Sequence, residues 1–129
     1  MTEAASEPPA GEPTIRVIAM PGDANPYGDI FGGWLLSWMD SAAGSVASRH
    51  CRGRAVTIAL DAMQFLNPVF VGDELSVYAA LSRTGRTSMT IDVEAWRRHR
   101  HEAGQHKVTQ ARFTFVAIDE DRKPRAIAG

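Results

Sequence analysis

One stretch of helical period, apolar on more than one face and followed only by alternating segments, limits the architecture of this chain more than any other feature. From about Gly33 to His50, Leu35, Met39, Ala42 and Val46 recur at i, i+4, i+7 and i+11, one stripe of a 3.6-residue period. Trp34, Leu36 and Trp38 widen that stripe, so the helix must be buried on more than one side. Ala42, Ala43, Gly44, Ser45, Ala47 and Ser48 are all small, which lets another backbone approach closely. Gly44 costs an isolated helix about 1 kcal/mol against alanine and so implies a packing reason.

The rest of the chain reads as strands. Thr14 to Met20 is β-rich and ends at Pro21-Gly22-Asp23. After Gly53, Val56, Ile58, Leu60 and Ala62 alternate with Thr57, Ala59, Asp61 and Met63. Phe65 to Asp73 reads as a bend with apolar anchors. Leu75, Val77, Ala79 and Leu81 alternate next, then Met89, Ile91, Val93 and Ala95, and Thr109 to Ile118 forms a last strand. Arg97 to Lys107 reads as an exposed hairpin tip kept soluble by charge. Consecutive strands with short links imply an antiparallel sheet, and one long apolar helix must lie against it. The expected fold is α+β: a five-stranded antiparallel sheet wrapped around one long central helix, in a single domain over residues 14–129. Residues 1–13 are small, acidic and proline-rich and are expected to form a disordered tail.

The bulk properties remove several classes of function. A net charge of −1 gives no electrostatic preference for nucleic acid or anionic membrane. No apolar run approaches the roughly 20 residues that a membrane helix needs, and residues 1–12 lack the basic and apolar regions of a secretory signal. The single cysteine, Cys51, has no internal disulfide partner, which fits a cytoplasmic protein.

The segment from Asn25 to Asp40 resembles the signature of hotdog-fold acyl-CoA thioester hydrolases of the YciA-like branch. The resemblance rests on Asn25-x-x-Gly28-x-x-Phe31-Gly32-Gly33-x-Leu35-x-x-x-Met39-Asp40. Five further pieces follow in the family's order: Arg54-Ala55-Val56-Thr57; Phe65-x-x-Pro68-x-x-x-Gly72-Asp73; Gly85-x-Thr87-Ser88; Phe113-x-Phe115-Val116-Ala117-x-Asp119; and Lys123-Pro124-Arg125. The resemblance covers about residues 14–127. Gln110 departs from the pattern, since relatives usually carry glutamate there. The resemblance implies subunits whose sheets join in a dimer with two active sites at the interface, assembling further into tetramers or hexamers. It implies hydrolysis of acyl-CoA to a free acid and CoA without metal or cofactor, coenzyme A being part of the substrate.

The side chains support that chemistry on their own terms. Attack of water on a thioester puts negative charge on the carbonyl oxygen, and preorganised N–H donors stabilise it. Gly32 and Gly33 offer backbone N–H groups at the positive end of the helix dipole, although a glycine pair also suits a plain loop-to-helix turn. Asp40 is the candidate base or nucleophile, against the reading of an acid bonded to Ser37, Ser41 or the backbone. Asn25 is suited to donate to the carbonyl or to fix the water; it is equally suited to an Asx turn before Pro26. Asp29 is expected to cap or brace the helix start. Thr57 and Ser88 lie where relatives line the CoA channel. Arg54, Arg86, Lys123 and Arg125 are candidates for the CoA phosphates. His99 and His101 would share a strand face, but no acid or cysteine spacing completes a zinc set, so no metal site is expected.

Gly32 and Asp40 are eight residues apart, a rise of roughly 12 Å on a regular helix. A base and an oxyanion hole must act on one carbonyl, so each site is expected to draw Asp40 from one chain and Asn25 with the glycines from another. Two other readings stay open: a non-catalytic acyl-CoA-binding module, and a dehydratase, although no histidine lies between Asn25 and Arg49 to serve the second.

Overall fold

A computed structural model describes residues 7–127 of the 129-residue chain. In chain order the elements are β1 (Ile15–Ile18), a 3-10 turn (Pro21–Asp23), α1 (Gly32–Cys51), β2 (Ala55–Phe65), β3 (Glu74–Thr84), β4 (Ser88–Arg98) and β5 (Gln105–Ala117). The strands form one antiparallel sheet in the order β1-β3-β4-β5-β2, the expected architecture. Of the tail expected at 1–13, residues 1–6 lie outside the described residues. Residues 7–13 contain neither helix nor strand, and Glu12 and Pro13 border a groove shared with Arg49 and His50.

The helix lies in the concave face of the sheet. Leu35, Met39, Ala42, Ala43, Ala47 and Cys51 are buried against Leu75, Val77, Met89, Ile91, Val93, Phe113 and Phe115. Gly44 has the packing reason its sequence asked for: a Cβ there would sit 3.6 Å from the Phe115 ring. Trp34 and Trp38 are half-buried and meet edge to face at 6.3 Å. The helix ends at Arg52 in the left-handed region, with the Arg52 and Gly53 N–H groups donating to the Ser48 carbonyl.

Two departures from the expected strands bear on the site. First, β2 carries bulges between Thr57 and Ala59 and between Asp61 and Gln64, with Ala62 at φ 55°. The perfect alternation in its sequence is therefore broken in space, because one extra residue reverses which face the following side chains occupy. Second, the Arg97 to Lys107 stretch is not simply an exposed tip. Arg97 and Arg98 complete β4, Gln105 to Lys107 begin β5, and Arg97 is only 8% exposed. Gln110, the departure from the family pattern, accepts from the Lys107 ammonium and faces Gln64 on β2.

β2 pairs with β5 on one side and forms the outer edge of the sheet on the other. It is long, contains one charged residue (Asp61), and exposes Ile58, Leu60 and Phe65, the last at 60%. An edge of that kind presents unpaired backbone groups and apolar side chains to another chain.

Candidate active site

Asp40 sits in the third turn of α1, on the face that carries Gly33, Leu36 and Ser37 at i−7, i−4 and i−3. These residues form one wall of an open cleft of about 370 Å³; Thr57 and Leu60 of β2 and Phe113 of β5 form the other. Leu60 pairs with Phe113 and Thr57 with Phe115. Thr57 and Leu60 share this cleft only because of the bulge between Thr57 and Ala59. On a regular strand, residues three apart point to opposite faces.

The Thr57 hydroxyl donates to Asp40 Oδ1 at 2.6 Å. The contact that sequence reasoning left open for Asp40, a bond to Ser37, Ser41 or the backbone, is not among the hydrogen bonds of the described residues. The partner is instead a threonine 17 residues away. Asp40 is half-buried, and its other carboxylate oxygen is left for the cleft. Mostly apolar walls with one carboxylate at hand suit an acyl group beside a group that activates water.

The helix start is bare. Its N-cap is Phe31, with no side-chain cap and no acid in the first turn. Asp29 thus braces the loop through its backbone rather than capping the helix: its N–H donates to Asn25 Oδ1 at 3.0 Å, and it bridges to Phe70. The Trp34 and Leu35 N–H groups turn back to the Phe31 carbonyl, while those of Gly32 and Gly33 have no acceptor among the hydrogen bonds of the described residues. A Cβ at Gly33 would meet nothing within 4 Å, so this backbone is open to a ligand.

Asn25 anchors the loop before the helix. Its Oδ1 accepts from the Tyr27 N–H at 2.9 Å as well as from Asp29, and the Asn25 N–H returns to the Asp29 carbonyl. Gly28, at φ 90°, supplies the turn that closes this loop. The Asx turn weighed as an alternative role for Asn25 is therefore formed. It uses the amide oxygen and leaves the NH2 group to donate elsewhere. Among the described residues no hydrogen bond links Asn25 or the glycines to Asp40. The helix runs without a break from Gly32 to Cys51, so the rise of about 12 Å between Gly32 and Asp40 stands.

The remaining candidates gather at the far end of the helix. Arg54, Arg86, Ser88, Lys123 and Arg125 are tied together by backbone bonds: Ile118 N–H to the Arg54 carbonyl, Asp119 N–H to Lys123, and Ile127 N–H to Arg86. Arg54, Arg86 and Lys123 are exposed. Arg125 is different. Its Nη2 donates to the Cys51 carbonyl at 2.9 Å and its Nε to the Ile118 carbonyl at 3.2 Å, so it closes the helix C-terminus. Ser88 opens β4, and its carbonyl accepts from the Gly85 N–H to close the β3–β4 turn.

Leu36, Ser37, Leu60 and Phe113 are cleft residues that the sequence reading did not assign to the site. Leu36 and Ser37 stand four and three residues before Asp40, a helical spacing that would have found them. Leu60 and Phe113 depend on the bulge and left no such signal. His99 does not pair with His101; it contacts Asp73 and Arg97. Among the described residues no three histidine, cysteine, aspartate or glutamate side chains converge as a metal set.

Comparison with known proteins gives concordant matches. The family model described as the thioesterase superfamily matches residues 27–103, more than half of the chain. An uncharacterised acyl-CoA thioester hydrolase of Zymomonas mobilis is 60% identical over 121 residues, covering 92% of this chain and 81% of that protein. The acyl-CoA thioester hydrolase YciA of Escherichia coli is 43% identical, covering 92% of each chain. Among solved structures, a hexameric thioesterase from Yersinia pestis superposes with a TM-score of 0.88 at 44% identity, over 94% of this chain and 98% of that one.

Proposed function

The chain belongs to the thioesterase superfamily, in the YciA-like branch of acyl-CoA thioester hydrolases, and we propose that it hydrolyses acyl-CoA with Asp40 as the group that activates water or attacks the thioester. The observation that carries this reading is the Asp40 carboxylate at the wall of an apolar cleft, one oxygen held by Thr57 and the other free. The fixed oxygen orients the carboxylate, and the free one faces the space where the carbonyl carbon would lie. Attack forms a C–O bond and drives charge onto the carbonyl oxygen. Collapse of the tetrahedral intermediate breaks the C–S bond and releases CoA. No metal or separate cofactor is needed, since coenzyme A enters with the substrate.

The oxyanion donors are the Gly32 and Gly33 N–H groups, with the Asn25 amide beside them. Because they lie about 12 Å along the helix from Asp40, they belong to a different site from the Asp40 of their own chain. A second copy adding along the free edge of β2 would meet the cleft wall at Thr57 and Leu60 and bury Ile58 and Phe65. The minimal unit is then a homodimer with two composite sites. The hexameric state of the Yersinia pestis thioesterase supports assembly of such dimers into a larger particle. The exposed Arg54, Arg86 and Lys123 are the candidates for the CoA phosphates.

Free-thiol release over a panel of acyl-CoAs, from short to long chains, tests the reading. Wild type is expected to release CoA, and Asp40→Ala to lower kcat by about 10²–10⁴-fold. Release by Asp40→Ala at the wild-type rate would remove Asp40 from the mechanism. Absence of release by wild type from every acyl-CoA would favour a binding module instead. Single turnover in labelled water separates the two roles of Asp40, since solvent oxygen found in the aspartate marks direct attack.

A further inference from the structure

Outside the cleft, three side chains converge behind the loop that seats the helix start. Asp73 is 3% exposed and Arg97 8%. His99 lies between them, its Nδ1 2.8 Å from Asp73 Oδ1 and its Nε2 2.8 Å from Arg97 Nη1. The His99 ring stacks on Phe70 with centroids 6.1 Å apart. Each outer member of the trio also holds the loop. Arg97 Nε donates to the Pro68 carbonyl at 2.8 Å, and Asp73 Oδ2 accepts from the Phe70 N–H at 2.9 Å. Between those two points, the Val69 carbonyl accepts from the Ile30 N–H at 3.1 Å, two residues before Gly32, and Phe70 bridges to Asp29. The backbone that presents the Gly32 and Gly33 N–H groups thus rests on a loop pinned by Arg97 and Asp73.

We propose that Asp73, His99 and Arg97 form a positioning network that holds the glycine N–H donors in register for catalysis, and that proton uptake by His99 releases it. The inference rests on the hydrolase reading above. Its chemistry follows from the donors. A guanidinium only donates, so His99 Nε2 must accept; Asp73 then accepts from Nδ1–H. In this pairing Nδ1 carries the proton and the Nε2 lone pair faces Arg97. A second proton on Nε2 would set N–H against N–H and cation against cation at 2.8 Å, and Arg97 must move. Its hold on Pro68 goes with it. The other charged group beside His99 is Arg98, whose Nη1 contacts the His99 carbonyl and whose Nε pairs with Glu74 at 3.2 Å; the Glu102 N–H also donates to that carbonyl. Arg98 adds positive charge on the same side and gives an imidazolium nothing new to bind.

The test uses the full chain in three forms: wild type, Arg97→Met and His99→Gln. Histidine ¹⁵N shifts follow His99 protonation while acyl-CoA turnover is measured over the same pH range. Wild type is expected to show the Nδ1–H neutral tautomer, with kcat falling reversibly as the ring gains its proton. Arg97→Met should lower kcat about tenfold to a hundredfold with KM changed far less, because donors displaced by a fraction of an ångström lose transition-state contact and not substrate binding. His99→Gln, which does not titrate, should lack the part of the fall that tracks His99 protonation, and it also serves if Arg97→Met folds poorly. The role is overturned if Arg97→Met turns over within about twofold of wild type, or if wild-type kcat is unchanged while the shifts show His99 protonating. Absence of thiol release by wild type at every pH would instead overturn the hydrolase reading, and this role with it.

Discussion

Thr57 Oγ1 lies 2.6 Å from Asp40 Oδ1, joining the edge strand to the helix at the mouth of the cleft. A hydroxyl donating to an ionised carboxylate both orients it and stabilises its charge. Thr57→Val keeps the shape and removes the donor. Loss of kcat by roughly tenfold, about 1.4 kcal/mol in the barrier, is expected, with little change in thermal midpoint because the position is exposed in the isolated chain. Thr57→Ser should recover most of that loss. Equal kcat in the valine variant would mean that the bond does not orient the reactive carboxylate.

Gly32→Pro separates a donor from a turn former. Gly32 is the first residue of α1, a position where proline suits the helical backbone, and Phe31 before it already has the extended ψ of 136° that proline requires. An added Cβ at Gly32 meets the Phe65 ring at ordinary contact distance, the nearest atom being 3.7 Å away. The helix should therefore keep its stability while losing one N–H. If that N–H binds the oxyanion, kcat falls by about 10²–10³-fold with the melting temperature held or raised. Unchanged kcat would leave the glycine pair a structural turn.

The basic residues at the helix C-terminus should divide into two groups. Arg54→Ala, Arg86→Ala and Lys123→Ala are expected to raise KM for acyl-CoA, with the effect shrinking as salt is added, because their side chains are exposed and meet the ligand through charge. Arg125→Ala should instead destabilise the fold by about 1–3 kcal/mol, since its guanidinium satisfies the Cys51 and Ile118 carbonyls. Steady-state kinetics at two ionic strengths and thermal unfolding of each variant read the two outcomes. A KM effect from Arg125→Ala with no loss of stability would place it with the ligand-binding residues.

The helix and the individual strands were legible because both depend on local period: Leu35, Met39 and Ala42 recur at helical spacing, and Met89, Ile91, Val93 and Ala95 alternate cleanly into the core. The strand order was not, because β2 pairs with β5 rather than with β3, a long-range contact that leaves no local pattern. The cleft was half legible. Asp40 and the glycines stand in one contiguous motif, yet the residue that touches Asp40 was reached only as a position lining the substrate channel. Thr57 and Leu60 share a wall through a bulge at Ile58, and neither a glycine nor a proline marks it. The Asp73, His99 and Arg97 contacts were not legible at all. In sequence Arg97 and His99 are part of a basic run, and what makes them a network is a carboxylate 26 residues earlier than His99.

In the proposed enzyme each site is assembled from two chains, Asp40 from one and the Asn25 to Gly33 loop from the other. Mixing Asp40→Ala with Asn25→Ala subunits under conditions that let dimers exchange tests it most directly. Each mixed dimer would contain one site with both groups intact and one with neither. Random exchange makes half of the dimers mixed, so thiol release should rise from the near-zero level of either variant alone to about a quarter of wild type. If mixed dimers form and release stays at the level of the separate variants, the two halves of the site belong to one chain and the account is wrong.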